Sequence, residues 1–166
     1  MRLPLDDPRW ASLMTRNGRA AYVPDELRAL LARPSNGRRF SSLWPALCSE
    51  DTAWPAAYAA LPYVLEIARA LKPAERVEHL YFIGYVSMCE ESGEVPDYLA
   101  DTYRETLHES LPLLAETLVS ATLNEEETRY LLAAFAALKG HRDLGQVIDC
   151  LDSGCPHCGE GLLGEG

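Results

Sequence analysis

The chain echoes itself at an offset of 50 residues. Leu61-Pro62 and Leu111-Pro112 each open an apolar stretch, run through Glu66 or Glu116, reach an acidic turn at Glu75 or Glu125, and enter a second apolar helical stretch. Repeats of roughly 20 to 50 residues are helical or mixed hairpins that stack because none can bury its oily face alone. The echo therefore predicts an all-α protein, a right-handed α-solenoid of about three stacked helical layers, and names no reaction.

A chain of 166 residues can bury roughly two-thirds of its unfolded surface in one core. We expect one helical-repeat domain over residues 1–151 and a short irregular C-terminal tail over 152–166. The formal charge of -10 is uneven: eight Arg and four acidic residues give residues 1–40 a charge of +4, which leaves -14 for the remainder. The basic arm can lie on the acidic helices or meet an acidic partner, and the intramolecular reading is preferred. An acidic surface argues against nucleic acid, whose binding relies on Lys and Arg contacts to phosphates. The chain opens on no basic and apolar leader and contains no run of about 18 apolar residues, so no membrane association is expected and a cytoplasmic location is. Five Cys in that setting read as reduced thiols, with Cys48 and Cys89 as small core residues.

Residues 1–23 contain an irregular polar stretch with Asn17-Gly18 as a turn signal, after which the local signals are helical. Pro24 and Asp25 begin a helix bearing Leu27, Leu30 and Leu31, which Pro34-Ser35-Asn36-Gly37 ends; Phe40, Leu43, Trp44 and Leu47 follow at helical spacing. Ser49, Asp51 or Thr52 is the expected cap of a segment opening at Pro55. Pro62 and Pro112 each predict a kink or a new helix start, because proline removes a backbone donor. Val64, Ile67, Ala68 and Leu71 form one apolar stripe. Residues 77–89 are apolar on more than one side, which places that helix in the middle of a stack, with Gly84 permitting a close approach. A long stripe of Leu99, Tyr103, Leu107, Leu111, Leu114 and Leu118 predicts a central helix or a bent hairpin. Asn124 with Glu127 forms a capping box ahead of Leu131, Ala134, Phe135 and Leu138, and Leu144, Val147, Ile148 and Leu151 suggest a short final helix.

Candidate sites fall into three groups. Cys155-x2-Cys158, with Cys150 and His157 or His141 as further ligands, offers thiolates for a zinc knuckle, but a second CxxC is missing; an unmetallated or partly lost knuckle is preferred over zinc or redox chemistry, and no cofactor is expected. Glu105-x2-His108 shares one helix side and is half of a di-metal bundle motif, more simply read as polar surface. No HExxH, phosphate loop or GxSxG is present to support an enzyme. Tyr58, Tyr63, Tyr81, Tyr85 and Tyr103, with Trp44 and Trp54, suit either helix packing or a recognition surface. We take Tyr85, Tyr103, Glu125, Glu126 and Glu127 as the protein-binding candidates, for a partner with a basic surface.

Leu43-Trp44, Trp54-Pro55-Ala56-Ala57-Tyr58, Ala60-Leu61-Pro62, Ala136-Ala137-Leu138-Lys139-Gly140-His141 and Cys155-Pro156-His157-Cys158 resemble a family of small bacterial HEAT-like helical-repeat proteins over about residues 40 to 158. The resemblance implies stacked helices and, through members in toxin-immunity neighbourhoods, protein binding. It carries over no catalytic residues. The expected function is a non-catalytic protein-binding module with an immunity or inhibitory role; the alternative is a structural zinc-binding helical protein or a thiol- or metal-dependent enzyme.

Overall fold

A computed structural model describes residues 2–89 and 95–151. Seven α-helices account for most of these residues: α1 Val23–Ala32, α2 Gly37–Leu47, α3 Pro55–Ala70, α4 Val77–Met88, α5 Asp97–Ser120, α6 Glu125–Leu138 and α7 Arg142–Asp149. The chain is all-α in class, with two short two-stranded ribbons as its only sheet among the described residues. The ends obey local chemistry. Pro24 sits in the first turn of α1 and Pro55 in that of α3, where a missing amide donor costs nothing. Asn36 accepts from the Arg39 amide at the start of α2. At α6 the Asn124 side chain accepts from the Glu127 amide at 2.8 Å, and Glu127 accepts from the Asn124 amide at 2.9 Å, completing the predicted capping box.

Helix α3 lies against α1 and α5, and α4 against α3 and α6; α7 closes on α6. The main core is built from Trp10, Leu27, Leu30, Phe40, Leu47, Leu61, Ile67, Phe82 and Ile83, all fully buried. Helix α4 is buried on several sides, as its all-round apolarity predicts. Gly84 makes that possible: a Cβ there would overlap the Cβ of Ala134 on α6.

Three expectations need correction. Helix α5 buries Leu99, Thr102, Thr106, Ser110, Leu114 and Thr117, while Tyr103, Leu107, Leu111 and Leu118 are only half-buried. The hydroxyls of Thr106, Ser110 and Thr117 donate to carbonyls four residues back, at 2.7 to 2.8 Å, so their burial leaves no polar group unpaired. Small side chains whose polarity is met within their own helix thus take the inner face from larger leucines. Neither Pro62 nor Pro112 starts a new helix; each lies inside one continuous helix. Finally, none of Ser49, Asp51 and Thr52 caps α3. Cys48–Ser49 and Thr52–Ala53 pair as an antiparallel hairpin, with Glu50 and Asp51 at φ 53° and 59° in its turn, and Trp54 precedes the helix.

The first 23 residues are more than a polar stretch. Leu3, Trp10, Leu13 and Ala20 are buried, the Trp10 indole donates to the Pro4 carbonyl at 2.8 Å, and the Tyr63 hydroxyl donates to the Leu3 carbonyl at 2.5 Å. Arg2 pairs with Glu66 and lies 4.4 Å over the Tyr63 ring, and Arg16 reaches Glu50 at 2.8 Å. Burial anchors this arm more than charge does, because half-exposed ion pairs each contribute about 1 kcal/mol or less.

Candidate functional site

Trp44 comes from α2, Tyr81 from α4 and Tyr130 from α6. The Trp44 and Tyr81 ring centroids are 5.4 Å apart, and Tyr81 stacks on Tyr130 at 4.3 Å with planes inclined by 12°. These rings, with Ala74 and Val77, line a cleft of about 420 Å³ whose remaining lining is Glu75, Glu78 and Glu127. Each of the three rings is held by a further contact. Trp44 packs edge-on against Phe82 at 4.9 Å, the Tyr81 hydroxyl donates to Asp149 at 2.7 Å, and the Tyr130 hydroxyl donates to Glu126 at 2.5 Å.

Burial, then the bond to Asp149, raises the Tyr81 phenol well above its ordinary value. The bond to Glu126, then burial, pushes Tyr130 up to about 12. Both phenols are therefore neutral at physiological pH, which leaves the three glutamates as the acidic side chains of the cleft. Glu78 accepts from the Ser41 hydroxyl at 2.8 Å, Glu127 holds the α6 cap, and Glu75 accepts from the Lys72 amide at 3.3 Å. None of the three is in an ion pair among the described residues. The Arg129 guanidinium lies 4.9 Å over the Tyr130 ring, on which Tyr81 also stacks. Trp44 carries no such cation among the described residues. An aromatic floor beneath unpaired carboxylates suits a side chain with an alkyl stem and a cationic head.

The groove between α3 and α5 offers a contrast. It is lined by Arg2, Glu66, Arg69, Glu105 and Glu109 and continues past His108, Pro112 and Glu116. Its charges are largely matched internally, by Arg2 with Glu66, Arg69 with Glu109 at 2.8 Å and the buried Arg76 with Glu116 at 2.8 Å. A groove that neutralises itself offers an incoming ion less than the cleft does.

The sequence-derived candidates are dispersed. Glu127 lines the cleft; Glu125 and Glu126 are exposed on the same first turn of α6, with Glu126 holding Tyr130. Tyr85 borders the aromatic group, 6.0 Å from Trp44 and 5.8 Å from Tyr81, and donates to Asp51 at 3.3 Å. Tyr103 packs elsewhere, edge-on to Tyr58 at 5.1 Å, with its phenol raised by burial. Glu105 and His108 are exposed, as the polar-surface reading expects. Cys150 is exposed at the end of α7, whereas Cys155, His157 and Cys158 lie outside the described residues. Sequence reasoning missed Glu75 and Glu78, although Glu78 and Tyr81 stand three apart on α4, one turn of a shared face.

No protein-family model, curated protein or solved structure matches the chain.

Proposed function

We propose that this chain is a non-catalytic protein-binding module that receives a basic segment of a partner in the cleft formed by Trp44, Tyr81 and Tyr130. The observation that carries the reading is the set of three glutamates, Glu75, Glu78 and Glu127, lining one cleft with the aromatic rings and in no ion pair among the described residues. A Lys or Arg side chain would lay its stem on Trp44 and Val77 and direct its charge to the carboxylates. In this reading the fold is a HEAT-like right-handed α-solenoid of three layers, α1 with α2, α3 with α4 and α5 with α6. Its support is that α3 contacts both α1 and α5, that α4 contacts α6, and that α3 and α5 carry their prolines at the 50-residue offset. An immunity or inhibitory role fits such a module, since a rigid acidic face can cover a basic functional site on an enzyme.

Titration with Lys-rich, Arg-rich and acidic peptides, followed by tryptophan fluorescence and calorimetry, tests the proposal. Basic peptides should bind with an affinity that falls as salt rises, and Trp44→Ala and Glu78→Lys should each weaken binding at least tenfold. No binding of basic peptides, or binding indifferent to both substitutions, would rule the cleft out. A second reading, structural zinc at Cys150, Cys155, His157 and Cys158, draws on the exposed Cys150 thiol, which precedes the Cys155-x2-Cys158 pair by five residues in the sequence. Elemental analysis of the purified chain and of its Cys155→Ser variant decides it.

A further inference from the structure

Aromatic contacts join α2 to α4 at two levels, and a pair of cysteines just beyond the two helix ends adds a third. Phe40 meets His79 at 4.1 Å and Phe82 at 5.5 Å; one turn on, Trp44 meets Tyr81 and Tyr85; one turn further, Cys48 meets Cys89. At the first two levels large rings separate the helices. At the third the spacing closes to two short thiol side chains, whose sulfurs are 2.9 Å apart. That is nearer than the ~3.5 Å at which even two carbon atoms make optimal contact. Bonded sulfurs stand about 2.05 Å apart, so a small further approach completes a bond. Both residues are buried, at 0% and 4% exposure, and both are thiols.

We propose that Cys48 and Cys89 form an oxidisable pair that closes to a disulfide and staples the end of α2 to the end of α4. The Cys89 thiol also contacts the Tyr85 carbonyl at 3.3 Å. If Cys89 donates in that direction, its sulfur is left to accept from Cys48. The oxidant is a hydroperoxide or a small disulfide. It has an approach, because Cys89 lines a narrow cleft of about 30 Å³ together with Asp51, Tyr85 and the exposed Cys150. With hydrogen peroxide, the Cys89 sulfur attacks one oxygen; an S–O bond forms, the O–O bond breaks, and the thiol proton leaves with the second oxygen as water. The Cys48 sulfur then attacks the Cys89 sulfenic acid, the S–S bond forms, the S–O bond breaks, and the second thiol proton leaves in another water. Two thiols are oxidised by two electrons in total and one peroxide is reduced.

The hydrogen bond to Cys89, then burial, holds the Cys48 thiol far above its ordinary value, which makes its thiolate scarce. The reaction is consequently slow at neutral pH, and the pair is a structural crosslink for an oxidising setting; in a reducing compartment it stays as two thiols. The inference is independent of what the acidic cleft binds.

The test uses the full chain and its Cys150→Ser/Cys155→Ser/Cys158→Ser variant, which leaves only this pair. Each is treated with hydrogen peroxide or oxidised glutathione, alkylated under denaturing conditions and mapped by mass spectrometry. We expect both to lose two hydrogens and yield a peptide linking Cys48 to Cys89, and the oxidised variant to unfold at a higher urea concentration than its reduced form. Recovery of both residues as alkylated thiols, a crosslink from either one to Cys150, Cys155 or Cys158 instead, or an unchanged urea midpoint in the crosslinked variant would overturn the proposal.

Discussion

His79 stacks on Phe40 with ring centroids 4.1 Å apart and planes inclined by 16°, and neither imidazole nitrogen finds a hydrogen-bond partner among the described residues. Burial alone lowers its pKa from 6.5 to about 4. The unfolded chain therefore takes up a proton below pH 6.5 that the folded chain refuses until about pH 4. Stability is unaffected by this group above pH 6.5, falls as pH drops towards 4, and changes no further below that; the loss totals about 3 kcal/mol. Replacing His79 with Phe removes this dependence along with two unmet polar atoms. Urea midpoints at pH 7 and pH 5 should separate the variant from the parent more widely at the lower pH, and equal separations would show that His79 does not stay neutral in the folded state.

Gly84→Ala places a methyl group against Ala134 and forces α4 from α6. We expect destabilisation of about 1–3 kcal/mol, the usual cost of overpacking a tight contact. Adding Ala134→Gly should recover part of the loss, which a double-mutant cycle by chemical denaturation measures. Strict additivity would mean that the two residues do not share the strain.

Arg76 is 4% exposed; its Nε donates to the Thr117 hydroxyl and its terminal nitrogen to Glu116, each at 2.8 Å. Thr117→Val strips a buried guanidinium of an acceptor and should cost about 1–3 kcal/mol. Arg76→Met removes the charge and leaves the Thr117 hydroxyl bonded to Leu113, so it should cost less. Thermal unfolding of the two variants gives the order directly, and the reverse order would place the weight on packing by the Arg76 stem.

Glu127 serves both the cleft and the α6 cap, whereas Glu78 serves the cleft and a single exposed hydroxyl, that of Ser41. Glu127→Ala should lower stability by roughly 0.5–1 kcal/mol as well as weakening capture of a basic peptide. Glu78→Ala should weaken capture with stability nearly unchanged. Parallel melting and peptide titration separate the two effects, and a Glu78 variant that melts like the parent and binds like it would count against the cleft.

What the amino-acid sequence determined by itself was the set of helices and several of their ends, though not the cap of α3 or the continuity of α3 and α5 through Pro62 and Pro112. Proline in a first turn, the Asn124–Glu127 box and apolar residues at helical spacing act within a few residues, so they can be read one segment at a time. The close approach at Gly84 was legible for the same reason, as a gap in an otherwise large-residue face. Only the tertiary structure decided which side of α5 turns inward, because the buried hydroxyls of Thr106, Ser110 and Thr117 satisfy themselves in three dimensions and look polar in one. It also decided the cleft and the thiol pair. Trp44, Tyr81 and Tyr130 belong to three helices, and Cys48 and Cys89 to the ends of two, so their proximity follows from how α2, α4 and α6 pack, which no local pattern encodes.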